Sequence, residues 1–160
     1  MEQTVDTAEY NIEVTIDEFA SDPREMSDHL GTMVCFHGRY NLGDKHGLSI
    51  EEAKELSAQE DVISLPLYLY DHSGITMSTT PFSCPWDSGQ VGFIYAKKNA
   101  EGLSDDSIRE TLEAEVKEYD SYLTGEVYRI DIFDIETGEL IDCCSGIMED
   151  DIQSHIDQWR

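Results

Sequence analysis

Two stretches of the chain each contain a strand pattern, a short turn and a second strand pattern in immediate succession. The first joins "DVISLPLYLYD" to "GITMSTT" at Asp71–Gly74, and the second, "EVYRIDIFDIETGELIDCC", turns at "ETG". Strands joined by so few residues pair antiparallel. A further segment, "EYNIEVTIDEF", alternates apolar and polar side chains, as half-buried strands do. These patterns predict a mostly antiparallel sheet, in which Pro66 marks an edge or a bulge.

Helix signals lie between these strands. "SIEEAKELSAQ" begins with a capping box formed by Ser49 and Glu52, and "SDDSIRETLEAEVKEYDSYLTG" has Ser104 as its cap and Gly125 as its stop. Shorter helices are predicted in "SDPREMSDHLG" and "MEDDIQSHIDQW". A length of 160 residues favours one domain with one core. We therefore predict a single α+β domain over residues 1–160, with three to four helices packed on the sheet and a flexible segment 1–8.

Acidic side chains are strongly and unevenly enriched. The chain has 35 Asp and Glu against 10 Lys and Arg, a net charge of −25. Residues 1–31 hold nine acids and one Arg (−8), residues 32–98 hold eight acids and five bases (−3), and residues 99–160 hold eighteen acids and four bases (−14). Such a chain is not expected to bind DNA or RNA directly, since phosphate binding needs Lys and Arg.

An acidic field attracts basic surfaces instead. Three explanations stay open: solubility or adaptation to salt, a basic protein partner, and imitation of a nucleic-acid backbone by carboxylates. The last two predict partner contacts on the long helix and on the second hairpin. The candidate contact residues are Glu110, Glu113, Glu118, Asp120, Asp131, Asp134, Glu136, Glu139 and Asp142.

Targeting and redox signals point to the cytoplasm of the cell that makes the protein. No run approaches the roughly 20 apolar residues of a membrane span, and the acidic N-terminal segment does not resemble a secretory signal. Four cysteines are present without a C-x-x-C pair. They are expected to be reduced and mostly buried.

The stretch from Tyr70 to Tyr95 is nearly neutral and rich in residues able to carry chemistry. Loops 38–47 and 81–89 and the turn 71–74 are predicted to converge at one end of the sheet. Together with His37, which precedes the first loop, they offer a divalent metal six ligands: His37, Asp44, His46, Asp71, His72 and Asp87. Alternatively, His37 and His72 are hydrogen-bonded structural groups, and Asp44 and Asp87 are turn caps. A further hypothesis is that Cys84 is a nucleophile paired with His72. The alternative is that Cys84 is a buried structural cysteine.

Long blocks of the chain resemble a known protein family. The segments "DPREMSDHLGTMVCFHGRYNLGDKHG", "LPLYLYDHSGITMSTTPFSCPWDSGQVGFIYA" and "EVKEYDSYLTGEVYRIDIFDIETGELIDCCSG" are similar to a family of small uncharacterised proteins of bacteriophages and other mobile elements. The similarity covers roughly residues 22–146, and its most distinctive part is the "YDHSG…PFSCPWDSGQVG" block. The resemblance implies a phage or mobile-element accessory protein and supplies no activity.

Two functional hypotheses follow, with a plain acidic phage domain as the third. In the first, the protein is a non-enzymatic inhibitor without a cofactor, of the anti-CRISPR or antirestriction type. It acts as a DNA mimic that binds the basic nucleic-acid-binding surface of a host defence protein. In the second, it is a small metal-dependent hydrolase of nucleotides or phosphoesters, whose metal-bound water is the nucleophile.

Overall fold

A computed structural model describes residues 1–26 and 28–160 of the chain. Its contacts divide them into two compact units: unit 1 comprises Met1–Ser21 and Thr124–Arg160, and unit 2 comprises Asp22–Leu123. The described elements are β1 (Gln3–Asp6), β2 (Tyr10–Ile16), β3 (Thr32–Cys35), α1 (Ile50–Ser57), β4 (Val62–Asp71), β5 (Ile75–Ser78), β6 (Ser88–Lys97), α2 (Asp105–Thr124), β7 (Val127–Asp134), β8 (Leu140–Met148) and α3 (Ile152–Asp157). The α+β prediction is confirmed, and all strand pairs described are antiparallel.

Unit 1 is a four-stranded sheet of order β1-β2-β7-β8 with α3 against it. Strand β2 pairs with β7 from Tyr10 opposite Asp134 to Ile16 opposite Tyr128, so the N-terminal strand joins the C-terminal hairpin. Alternation along both strands places their apolar residues on one face. The buried residues of this core are Ile12, Val14, Tyr128, Ile130, Ile132, Ile147, Ile152 and Ile156.

Unit 2 is a second four-stranded sheet, of order β3-β6-β4-β5, packed against α2. The helix predicted between Ser104 and Gly125 is confirmed as α2, and its residues Ile108, Leu112, Val116 and Tyr119 form an apolar stripe buried in this core. The buried hydrophobic residues thus form two clusters, whereas the chain length had favoured a single core. The assignment of residues 1–160 to a single domain stays a prediction.

Local predictions are confirmed at α1 and at Pro66. The Ser49 hydroxyl caps α1 by accepting the Glu52 amide at 3.2 Å and by donating to the Glu52 carboxylate at 3.2 Å. Strand β4 pairs with β6 along most of its length but with β5 only from Tyr68 to Asp71. Pro66 therefore lies where β5 does not reach, one residue before a bulge between Leu67 and Tyr68.

Two predictions about helices are wrong. The helix expected in residues 21–31 is absent from the described residues there: the Asp22 carboxylate accepts the Arg24 amide at 2.8 Å in a turn, and Asp28 has a φ of 69°, incompatible with helix. The segment 1–8 contains β1, which pairs with β2, and the flexibility expected of this segment stays a prediction. The pattern assigned to the last helix begins at Met148, but Met148 ends β8 and α3 begins only at Ile152. Among the helices of the described residues, none is both long and apolar enough to cross a membrane.

Candidate interaction site

The loops of the neutral stretch converge at one end of the unit 2 sheet, as predicted. The Arg39 guanidinium pairs with the Asp71 carboxylate, which joins loop 38–47 to the end of β4. The Asp71 amide donates to the Asp87 carbonyl at 2.7 Å, and His72 Nδ1 lies 3.2 Å from Asp87 Oδ2. Asp71, His72 and Asp87 are therefore brought together by backbone and side-chain contacts.

Aromatic side chains surround this junction. The Tyr70 ring lies 5.7 Å from that of Phe82 and 6.1 Å from that of His72, centroid to centroid. The Arg39 guanidinium lies 5.7 Å from the centroid of the Tyr40 ring. Trp86 is 89% exposed in the same loop region. The junction thus presents an aromatic, nearly neutral surface.

His37 and His46 act as caps for the backbone of their loop. His37 Nδ1 accepts the amides of Arg39 and Tyr40 at 3.0 and 3.2 Å. His46 Nε2 lies 3.0 Å from the Cys35 carbonyl oxygen, and His46 Nδ1 accepts the Leu48 amide at 3.2 Å. This arrangement places the proton of His46 on Nε2 and occupies both ring nitrogens.

Asp44 belongs to a buried network centred on Arg24. The Arg24 side chain is 1% exposed. Its Nε and Nη2 donate to the two Asp44 oxygens at 2.9 and 2.8 Å, and its Nη1 donates to Glu115 Oε1 at 2.9 Å. Asp44 Oδ2 also accepts the Met33 amide at 2.8 Å. Asp44 is therefore a structural partner of Arg24 in this fold.

Glu115 connects α2 to the segment before β3. Its carboxylate accepts the amides of Leu30 and Gly31 at 3.1 and 3.2 Å, and it lies 3.6 Å from His29 Nδ1. Arg24 Nη2 donates to the Gly31 carbonyl at 2.9 Å. This arrangement gives most N–H donors of the Arg24 guanidinium a hydrogen-bond acceptor, as a buried charge requires.

Sequence reasoning did not identify the roles of Arg24 and Glu115. One signal was present: Arg24 is the only Lys or Arg among the first 31 residues, which contain nine acids. A lone base in such a segment is a candidate for an internal ion pair. Burial alone would raise the pKa of Asp44, but hydrogen bonds from Arg24 and Met33 and the Arg24 charge outweigh it and lower that pKa.

The six proposed metal ligands are thus divided among separate structural roles. Asp71, His72 and Asp87 meet at the loop junction, His37 and His46 cap backbone amides, and Asp44 binds Arg24. Across residues 1–26 and 28–160, no three His, Cys, Asp or Glu side chains form a group that could hold a metal ion. The metal site stays a prediction.

The loop that follows β3 also lines an open groove of about 1420 Å³ in unit 2. Cys35 and Phe36 form part of its wall, and the loop 37–46 supplies much of the remainder. Burial raises the pKa of the Cys35 thiol to about 12, and the nearby Asp44 charge acts in the same direction. Cys35 is therefore a protonated, structural thiol.

The four cysteines are free, as expected, but they are not mostly buried. Cys35 is buried and Cys84 is half-buried, whereas Cys143 and Cys144 are exposed on β8. The Ser88 hydroxyl donates to the Cys84 carbonyl, which fixes the loop around Cys84.

We expect Ellman's reagent to label Cys143 and Cys144 rapidly in the native protein and Cys35 only after denaturation. A pKa raised from 9.0 to about 12 makes the thiolate fraction of Cys35 about a thousandfold smaller, and burial adds a steric barrier. Cys143→Ser should remove one rapid equivalent and Cys35→Ser none. A rapid equivalent lost in Cys35→Ser would contradict the structure.

The proposed contact acids of α2 divide into exposed and structural groups. Glu110, Glu113 and Glu118 are exposed. Asp120 is half-buried: its Oδ1 accepts the Thr76 hydroxyl at 2.7 Å and the Met77 amide at 2.8 Å. Asp120 therefore holds the edge strand β5 against α2, and its carboxylate is engaged within unit 2.

The proposed contact acids of unit 1 divide in the same way. Asp131 pairs with Arg129 at 2.8 Å, and Asp134 accepts the Glu136 and Thr137 amides at 2.9 and 2.8 Å. Hydrogen bonds from Thr137 and Glu136 lower the pKa of Asp134. Glu136, Glu139 and Asp142 are exposed. The hairpin turn thus displays carboxylates on a hydrogen-bonded frame.

Comparisons with known proteins give no family for the chain. No protein-family model, curated protein or solved structure matches it significantly.

Proposed function

We propose that the protein is a non-enzymatic inhibitor that binds the basic nucleic-acid-binding surface of a host defence protein through its carboxylates. The proposal rests on the distribution of charge between the two units. Unit 1 has sixteen Asp and Glu against two Arg and no Lys, a net charge of −14 in 58 residues. Unit 2 has nineteen acids against eight bases, a net charge of −11 in 102 residues.

The two arginines of unit 1 offer little net positive potential. Arg129 pairs with Asp131 at 2.8 Å, and Arg160 Nε lies 3.8 Å from Asp157 Oδ1. Unit 1 therefore keeps an excess of fourteen carboxylates over its two arginines. A groove lined by Lys and Arg for phosphates would attract such a surface and associate with it rapidly.

The hairpin β7–β8 holds part of this charge in a defined geometry. The Asp134 amide donates to the Glu139 carbonyl at 2.9 Å, and the Gly138 amide donates to the Asp134 carbonyl at 2.8 Å. Together with the side-chain bonds of Asp134, these contacts order the turn that carries Glu136 and Glu139. Ordered carboxylates lose less conformational entropy on binding than carboxylates on a mobile tail.

The test is affinity purification of the tagged protein from bacterial host lysate, with and without competing duplex DNA. We expect one nucleic-acid-binding complex to be enriched and then displaced by DNA. The triple variant Glu136→Gln/Glu139→Gln/Asp142→Asn should weaken binding to that complex at least tenfold, about 1.4 kcal/mol. The effect should shrink as salt is raised, because screening weakens exposed charges.

A matched control separates the proposed surface from net charge alone. The control variant Glu51→Gln/Glu55→Gln/Glu60→Gln also removes three negative charges, but from exposed positions in and after α1. It should bind nearly as tightly as the unchanged protein. Equal loss in both triple variants, or a partner that DNA does not displace, would refute the proposed surface.

The metal-dependent hydrolase is the alternative proposal, and its support is the contact of His72 Nδ1 with Asp87 Oδ2 at 3.2 Å. Under it, His46→Ala and His72→Ala should abolish phosphoesterase activity, whereas neutralising the hairpin acids should spare it. Under the inhibitor proposal, the two histidine variants should retain partner binding.

A further inference from the structure

A small pocket in unit 1 combines two aromatic rings with a carboxylate. It has a volume of about 440 Å³ and lies between the turn Thr7–Tyr10 and residues 158–160. The rings of Tyr10 and Trp159 meet with centroids 5.1 Å apart and planes at 81°. Two nearly perpendicular rings form a corner, and the negative face of an aromatic ring attracts cations.

The turn that carries Glu9 and Tyr10 is held by hydrogen bonds. The Thr7 amide donates to the Tyr10 carbonyl at 2.8 Å, and the Thr7 hydroxyl oxygen accepts the Tyr10 amide at 3.0 Å. The Glu9 carbonyl accepts the Ile135 amide at 2.9 Å, which ties the turn to the end of β7. The pocket is therefore formed before any ligand arrives, which favours binding.

The opposite wall is also anchored. The Trp159 amide donates to the Ile156 carbonyl at 3.0 Å, and the Trp159 ring packs against the unit 1 core, in which Ile156 is fully buried. The Arg160 guanidinium is directed to Asp157, where Nε lies 3.8 Å from Oδ1. Arg160 also lines the pocket, and Asp157 offsets its positive charge there.

The charges around the pocket determine which sign of ligand charge it favours. Glu9 is exposed at the pocket, and among the described residues no hydrogen bond or ion pair engages its carboxylate. Unit 1 carries a net charge of −14. An anion would be repelled, and a neutral apolar group would gain nothing from Glu9.

We propose that the Tyr10–Trp159 pocket binds an organic cation, namely the head group of a Lys or Arg side chain on the basic partner. The identity of the donor rests on the proposed function, whereas the affinity of the pocket for cations does not. The aromatic corner takes the alkylammonium or guanidinium group, and Glu9 neutralises its charge.

The test uses ¹⁵N-labelled full-length protein and the indole N–H resonances of its two tryptophans. Trp86→Phe assigns the two signals. Choline and N-acetyl-lysine amide are titrated at constant ionic strength, with 3,3-dimethyl-1-butanol as the neutral isostere of choline. We expect a saturable shift of the Trp159 signal with both cations, at least tenfold weaker binding of the alcohol, and a Trp86 signal that does not move.

Variants separate recognition from folding. Glu9→Gln changes one exposed carboxylate and should weaken choline binding about fivefold while the remaining spectrum stays unchanged. Tyr10→Leu retains an apolar side chain and should remove the preference for choline over the alcohol. Overturning results would be a Trp159 signal that does not shift saturably, equal binding of choline and the alcohol, or full choline affinity in Glu9→Gln.

The outcome is independent of the partner experiment. If choline fails to bind and the hairpin variant still loses its partner, the pocket is refuted and the inhibitor proposal stands. If choline binds specifically and no partner is displaced by DNA, the cation site stands without that proposal.

Discussion

Replacing Arg24 by Met is expected to destabilise unit 2 by about 3–5 kcal/mol, the usual cost of removing one member of a buried ion pair. The substitution keeps an unbranched side chain of similar length but leaves Asp44 and Glu115 without their shared cation. The Glu115 side chain is 11% exposed, so water compensates poorly for the loss. Urea denaturation followed by the far-UV circular dichroism of α2 measures the change.

Arg109→Met is the matched control. Arg109 is half exposed and lies 3.5 Å from Asp106 on the surface of α2, where such pairs contribute about 0–1 kcal/mol. Arg24→Met with Asp44→Asn and Glu115→Gln should recover part of the loss, because no buried charge is then unpaired. Equal effects of Arg24→Met and Arg109→Met would contradict the buried network.

The same network predicts a pH dependence with a definite sign. Since Arg24 lowers the pKa of Asp44 below its unfolded value of 3.8, the stabilisation is complete above about pH 4. It is lost as the pH falls through the lowered folded pKa. Stability measured against pH should therefore show the unchanged protein and Arg24→Met converging below pH 4.

Gly92→Ala is expected to cost about 3 kcal/mol, at the upper end of the usual range for overpacking. Gly92 lies in the central strand β6, opposite Cys35 of β3 and Leu67 of β4. A Cβ atom there would lie 1.8 Å from the Val34 carbonyl oxygen and 2.9 Å from the Cys35 Cα. Both are backbone atoms, so a change of side-chain rotamer cannot relieve the overlap and β3 must move.

Gly89→Ala, in the same strand, is the control for the effect of an alanine that meets no steric overlap. No atom lies within 4 Å of the Cβ position at Gly89. Because alanine loses less backbone entropy on folding than glycine, this variant should be neutral or up to about 1 kcal/mol more stable. Thermal unfolding of the two variants side by side measures the contrast, and similar melting temperatures would refute the close approach of β3 to β6.

Residue patterns were sufficient for most of the secondary structure. The 3.6-residue stripe of α2 and the capping box of α1 are local signals, and each residue lies within one turn of its partner. The alternation of β2 placed Ile12 and Val14 on its buried face for the same reason. The turn of residues 22–25 was misread as helix because its conformation depends on Arg24 reaching Asp44 and Glu115, 20 and 91 residues away.

The order of strands along the chain was also enough to group the neutral loops, but it did not show which partners their side chains bind. Chain connectivity brings the ends of β4, β5 and β6 to one end of a sheet, so convergence follows from topology. Whether Asp44 binds a metal or an arginine depends on which cation the fold places beside it. The position of Arg24 is a property of packing that spacing along the chain does not encode.

The sequence by itself determined the antiparallel α+β class, the long helix and the acidic character, because these depend on short-range periodicity and on composition. Only the tertiary structure decided that there are two sheets, since β2 pairs with β7 across more than a hundred residues. Tertiary contacts also separated the exposed Glu110, Glu113 and Glu118 of α2 from Asp120, which accepts the Thr76 hydroxyl and the Met77 amide. A carboxylate facing solvent and one bonded to a backbone amide are identical in sequence, and they differ only in the neighbours that folding provides.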